Sequence, residues 1–182
     1  ANEEYNSTFI VERQRKNNSW MFRGCFAGTR AGPCVFWERN WGKMTGESYR
    51  QCILPDALGF IDFLPTNNGL AILMHDNAPV HTAAPAREYL EANGVVPMAW
   101  PPFSPDLNLI ENVWGLIKTY IQEHHGDSIS TRQRTRAQVR PIVLEAWREC
   151  TRPERLLPII QGMHDRFEVV IQAQGGSIPY WL

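Results

Sequence analysis

The stretch that most constrains this chain is Leu70 to His75 (LAILMH), a continuous apolar run that ends at Asp76. A half-buried strand alternates apolar and polar residues. An unbroken run of this length suits a strand buried on both faces, as in sheets covered by helices on each side. The flanking sequence agrees. Asp62 to Asn68 reads as a loop, and Ala83 to Asn93 (AAPAREYLEAN) reads as a helix that stops at Gly94. Val95 to Trp100 (VVPMAW) is then a short strand, which completes a β–α–β unit. In such sheets ligands bind in the crevice beyond the carboxyl ends of the strands, and Asp76 stands at that position.

The remainder fits the same class. Tyr5 to Glu12 (YNSTFIVE) is β-branched and aromatic enough for a strand, and Arg13 to Ser19 is a polar turn. Trp20 to Ala27 is a second strand, Gly28 to Pro33 a Gly/Pro turn, and Cys34 to Trp37 a third strand, giving a β-meander. Gly46 to Leu58 is helical, with Pro55 marking an end or a kink. Pro101, Pro102 and Pro105 form a rigid loop, and Asp106 is placed as N-cap of the next helix. In that helix Leu107, Ile110, Trp114, Ile117 and Ile121 recur every three or four residues. Glu111 lies beside this stripe, at the margin between core and solvent. Thr131 to Glu149 is a further helix, and Pro158 to Gln172 a last one, ended by Gly175–Gly176. A meander, then alternating α and β, then helices define an α/β domain with a mixed sheet flanked by helices.

A length of 182 residues matches a single domain over 1–182. The net charge of −1 excludes a globally basic mode of nucleic-acid binding. No apolar run approaches the ~20 residues of a membrane span, and the polar, acidic start Ala1–Asn6 is no signal peptide. Cys25, Cys34, Cys52 and Cys150 form no C-x-x-C pair and read as reduced, half-buried thiols of an intracellular protein. Charge is unevenly spread. Residues 51–117 hold seven acids against Arg87 alone, whereas each flank is net basic. An acidic middle between basic flanks suits a site that holds divalent cations and faces a polyanion. Solvated surface acids are the plain alternative.

Two stretches can carry chemistry: His75–His81 (HDNAPVH) and Trp100–Trp114 (WPPFSPDLNLIENVW). Each places a carboxylate where a strand ends or a helix opens. Carboxylates converging on one point are hard oxygen ligands suited to Mg²⁺ or Mn²⁺, and two such ions can clamp the attacking and leaving oxygens of a phosphodiester. The 34 residues between Asp76 and Glu111 hold one helix, one strand and a loop, enough to return the second acid to the first. On residue types alone, Asp76–Pro79 can equally be a strand-to-helix turn, and Glu111 a surface residue. His75, Asp76 and His81 could instead ligate zinc in a hydrolase.

Both stretches resemble the DDE transposases of the Tc-one/mariner superfamily. Asp76, Asn77, Pro79 and His81 match its D-N-x-P-x-H signature. Ser104, Pro105, Asp106, Leu107, Asn108, Ile110, Glu111 and Trp114 match its S-P-D-L-N-x-I-E-x-x-W signature, at the family's 34-residue gap. Arg23–Gly28 resembles the W-G-C-F strand, with Arg23 where Trp is usual, and Gly32–Phe36 resembles the strand after it. The resemblance covers about residues 15–180. It implies a ribonuclease-H-like fold and a DNA transposase that hydrolyses phosphodiesters and transfers strands into target DNA. It further implies two Mg²⁺ or Mn²⁺ ions, with Asp76 and Glu111 as catalytic metal ligands and Asn77, His81 and Asn108 near the substrate. The partners implied are transposon ends, target DNA and a second subunit in a homodimer, with no membrane. Nuclear action is implied for a eukaryotic source.

The departures are specific. No Asp precedes Asp56, so the family's first catalytic Asp is missing. Either the chain is N-terminally truncated, or Tyr5–Glu12 replaces the first strand and Glu12 supplies the third carboxylate, with Glu3 and Glu4 behind it. No stretch matches the family's helix-turn-helix region. A catalytically dead, repurposed DNA- or protein-binding module is therefore the alternative expectation.

Overall fold

A computed structural model describes residues 21–64, 71–129 and 135–176. Tyr5–Glu12, Trp20 and Glu12 itself lie outside the described residues. The described chain opens with an antiparallel hairpin, β1 (Phe22–Ala27) and β2 (Arg30–Phe36). Its turn is shorter than the Gly28–Pro33 expected from sequence. Gly28 adopts φ 53°, so Gly28–Thr29 suffices and Ala27 pairs with Arg30. The register then slips: Phe26 faces Ala31 and Gly24 faces Cys34. Cys25 is thus opposed by both Gly32 and Pro33, a bulge that accommodates a proline with no N–H to donate.

The bulge sets which side chains face which helices. On one side of the hairpin lies a core of Tyr49, Ile53, Leu54, Leu58, Ala86, Leu90 and Val95, joined by Val35. These residues come from α1 (Gly46–Cys52), α2 (Leu54–Ile61), α4 (Ala84–Ala92) and β4 (Val95–Pro97), with Ile53 at the α1–α2 junction. A reciprocal Thr45–Ser48 capping box opens α1. The helix breaks at Ile53, ahead of Pro55, which cannot extend the i→i−4 ladder. Between these helices β3 (Ala71–Leu73) pairs parallel with β4, Ile72 facing Val96. The β–α–β unit read from sequence is therefore present, but β3 covers only Ala71–Leu73 and Ile72 is 67% exposed, so the burial on both faces expected from the apolar run is not found. Gly94, at φ 67°, turns the chain from α4 into β4.

On the other side lies a second core: Val113, Ile117, Ala146, Trp147, Cys150 and Leu156, with Phe26 and Cys34 packed against it. It is built by α5 (Leu109–Ile129), α6 (Arg136–Cys150) and α7 (Pro153–Gln161). The Trp147 indole lies flat where a Cβ on Gly24 would stand, and its Nε1–H donates to the Gly32 carbonyl at 3.2 Å. A glycine at 24 is what lets this helix sit on the hairpin. Among the described residues no helix is long and apolar enough to cross a membrane.

Three further expectations need correction. Asp106 is not the N-cap of α5. It lies inside a 3₁₀ turn, Pro105–Leu107, where its Oδ1 accepts from the Leu107 N–H, and α5 begins at Leu109. His124 and His125 lie inside α5, which runs on to Ile129. His124 stacks on Tyr120 (ring centroids 4.0 Å apart) and His125 faces Glu145 at 3.5 Å. The helix expected from Thr131 starts at Arg136, where Thr135 and Gln138 satisfy the first turn. The single helix expected over Pro158–Gln172 is two. Pro153 initiates α7 earlier, and Gly162 separates it from α8 (Met163–Gln172).

Candidate active site

The Asp76 side of the site is a short stretch of backbone folded on itself. After β3 the chain turns, and the Asp76 carboxylate accepts the Ala78 N–H at 3.0 Å, an Asx turn. Pro79 fills the first position of α3 (Pro79–Thr82), where no N–H is needed. One helical turn brings His81 back beneath Asp76. Its Nδ1–H donates to Asp76 Oδ1 at 2.6 Å, and it is 7% exposed. The Tyr49 and His75 rings both pack against His81, each centroid 4.8 Å away. The spacing D-N-A-P-V-H is therefore a local fold, in which the His fixes the carboxylate.

Burial raises the Asp76 carboxyl, but the Ala78 N–H and the neighbouring His81 and Arg23 hold it below the usual carboxylate range. Burial depresses His81, with Asp76 opposing. Burial and His81 push the His75 imidazole down to about 4, and its buried Nδ1 has no hydrogen-bond partner among the described residues. His75 and His81 are thus held neutral behind an ionised Asp76.

The Glu111 side is carried by α5. The Glu111 N–H donates to the Asn108 carbonyl at 2.9 Å, so its carboxylate sits in the first helical turn, where the helix dipole favours a negative charge. Val113 and Ile117, one face of the same helix, are locked into the second core. Arg166 of α8, 4% exposed, donates to Asn112 Oδ1 at 2.6 Å and ties the C-terminal helix beneath this turn.

The two sides meet. Asp76, Asn77, Asn108 and Glu111 line one open cleft of about 320 Å³, closed along its rim by Trp100–Pro105. The Asn77 side-chain N–H donates to the Trp100 carbonyl at 2.8 Å, so this residue bolts the rim loop to the Asp76 turn. Asn108 is 7% exposed yet contributes to the lining. His81 stands behind Asp76 and not among the lining residues. Among the described residues no group of three or more His, Cys, Asp or Glu side chains stands where it could hold a metal ion. In the zinc alternative His75, Asp76 and His81 would share one ion, and no such group stands among the described residues. Sequence reasoning passed over Phe103, on the rim, and the charge Arg23 brings to Asp76. The only signal for Phe103 was an aromatic set among prolines. Arg136 and Arg140 pair with Glu38 at 2.9 and 3.2 Å, on the α6 side of the hairpin.

Two carboxylates thus line one cleft, with a buried histidine behind one of them, and comparison with known proteins assigns the family. Residues 10–135 match the DDE superfamily endonuclease model, so this chain belongs to that family. It is similar to the Tc3 transposable-element transposase of Caenorhabditis elegans, 30% identical over 105 residues, which cover 58% of this chain and 30% of that protein. The chain thus spans less than two thirds of that relative's length. Among solved structures it resembles the Mos1 transposase catalytic domain with raltegravir and Mg. The TM-score is 0.64 at 17% identity, covering 88% of this chain and 77% of that one. It also resembles the Mos1 transposase paired-end complex with the left transposon end, with TM-score 0.69 at 18% identity, covering 98% and 50%. These likenesses establish a mixed α/β fold of the transposase catalytic-domain type.

Proposed function

We propose that this chain is the catalytic portion of a DNA transposase, one domain over 1–182, that hydrolyses phosphodiesters and transfers strands into target DNA. The observation that carries the reading is that Asp76 and Glu111, from separate elements and separate cores, line one cleft. The donor set fits a hard divalent cation, since both side chains are carboxylates and Asp76 is held ionised. Asp76 and Glu111 would hold Mg²⁺ or Mn²⁺, with Glu12 as third ligand and two ions in the complete site. When bound, the ions neutralise phosphate charge and polarise the reacting oxygens. The chain's own part is orientation. His81 fixes the Asp76 carboxylate, Asn77 fixes the rim loop, and Asn108 lies where a substrate oxygen can reach it. The Mos1 structures with Mg and with a transposon end support the choice of cation and of DNA as partner. Two further parts of this reading are that the hairpin and the β3–β4 pair belong to one ribonuclease-H-like mixed sheet, and that the protein acts as a homodimer, in the nucleus where the source is eukaryotic.

Mn²⁺ titration followed by electron paramagnetic resonance tests the site, with plasmid nicking as second readout. Two bound ions in the wild type, fewer in Asp76→Ala and in Glu12→Gln, and nicking lost with Asp76→Ala are the expected results. One other reading is a repurposed DNA- or protein-binding module without catalysis. DNA binding with no nicking, unaltered by Asp76→Ala, would establish that reading instead.

A further inference from the structure

Among the described residues Phe103 stands out from every other apolar side chain. It is 99% exposed, and its backbone adopts φ 55°. A bulky non-glycine residue in the left-handed region is a conformational outlier, and such strain persists only where the surroundings over-determine it. Here they do. Pro101, Pro102 and Pro105 stiffen the loop, and the Ser104 hydroxyl donates to the Pro102 carbonyl at 3.2 Å. Asn77 pins the loop's start through Trp100, and a buried 3₁₀ turn at Pro105–Leu107 fixes its end. The ring is therefore held out into solvent by a rigid mount, on the rim of the cleft that Asp76 and Glu111 line.

The geometry points to Phe103 as a stacking platform for an unpaired nucleobase beside the phosphodiester in the cleft. This rests on the reading of the cleft as a phosphodiester site. A cleft of about 320 Å³ has the capacity of a small-molecule site. It has room for a nucleotide or a strand end. A nucleotide whose phosphate lies between the carboxylates must place its base outside, at the rim, where an exposed aromatic face is waiting. Stacking on one ring is indifferent to base identity. Phe103 would thus hold the strand end in position without reading sequence.

The test uses the full chain and a short duplex ending in a few unpaired 3′ nucleotides, with 2-aminopurine as the terminal base. Ca²⁺ replaces Mg²⁺ so that no strand is cut. Fluorescence anisotropy reads binding, and 2-aminopurine quenching reads stacking. On binding the wild type the terminal probe loses fluorescence, whereas the same base inside the duplex, already quenched by its neighbours, shows no further loss. Phe103→Asn removes the ring while tolerating positive φ. It abolishes the quenching and weakens overhang binding on the order of tenfold, and Phe103→Trp restores both. Equal binding and quenching in Phe103→Asn overturns the stacking role alone, as does failure of Phe103→Trp to restore it. A wild-type chain that binds no duplex overturns this role together with the reading of the cleft.

Discussion

The two walls of the cleft are stiffened by different means. Asp76 stands on a turn of a few residues, held by polar contacts within that turn: the Ala78 N–H, the His81 imidazole and the Asn77 link to Trp100. Glu111 stands on a 21-residue helix whose position comes from apolar packing, with Val113 and Ile117 against Ala146, Trp147 and Leu156. The first wall is fixed by directional bonds that one substitution can remove without emptying a core. The second is fixed by burial, so disturbing it disturbs folding. Function and stability should therefore separate on the Asp76 wall and travel together on the Glu111 wall.

The sharpest test removes Asp76 itself. Asp76→Ala is expected to lower Mn²⁺-dependent nicking on the order of a thousandfold, with the thermal midpoint shifting by only about a degree or two. A large drop in that midpoint would show that the turn also holds the fold. On the opposite wall, Trp147→Ala should cost about 3–5 kcal/mol in urea unfolding, because it empties the contact between α6 and the hairpin at Gly24. A cost below about 1 kcal/mol would mean that this core does not hold the Glu111 helix in place. His81→Gln loses the imidazole that orients Asp76 and should weaken Mn²⁺ binding about 10- to 100-fold. Arg166→Ala, its counterpart under Glu111, should instead lower stability by about 1–3 kcal/mol through the Asn112 contact, with Mn²⁺ affinity falling alongside it.

The smallest effect is a pH dependence confined to the Asp76 wall. Burial holds the folded-state His75 imidazole at about 4, against 6.5 for an unperturbed histidine. Between these values the unfolded chain binds a proton that the folded chain does not, so stability falls as pH drops through this window. With solvent screening the loss is about 1 kcal/mol. Thermal melts from pH 7 to 4 should show a shallower slope for His75→Gln than for the wild type. Parallel slopes would remove His75 from the account.

Much of the Asp76 wall was legible in the sequence because it is local. An apolar run, an Asx residue, a proline at a helix start and a histidine one turn on are all short-range signals. The α5 stripe likewise placed Glu111 at a core margin. The errors lie where tertiary contacts decide. Asp106 has the chemistry of an N-cap, but the proline before it closes a 3₁₀ turn first. The apolar stripe ends near Ile121, yet α5 continues to Ile129, with Tyr120 and His125 facing Glu145 across to α6. The bulge at Gly32–Pro33 lets β2 start several residues earlier than a Gly/Pro turn would allow. The exposure and backbone angle of Phe103 had no sequence signal beyond its proline neighbours.

The link between Asn77 and the rim loop carries a consequence for variation. Asn77 grips a main-chain carbonyl at position 100 and no part of the indole. Every amino acid offers the same acceptor there. Substitutions at position 100 can therefore reshape the mouth of the cleft while the loop keeps its attachment, whereas replacing Asn77 unfastens it whatever stands opposite. Diversity is affordable on one side of this bond and forbidden on the other, which makes the rim the natural place for such a chain to change what it accepts.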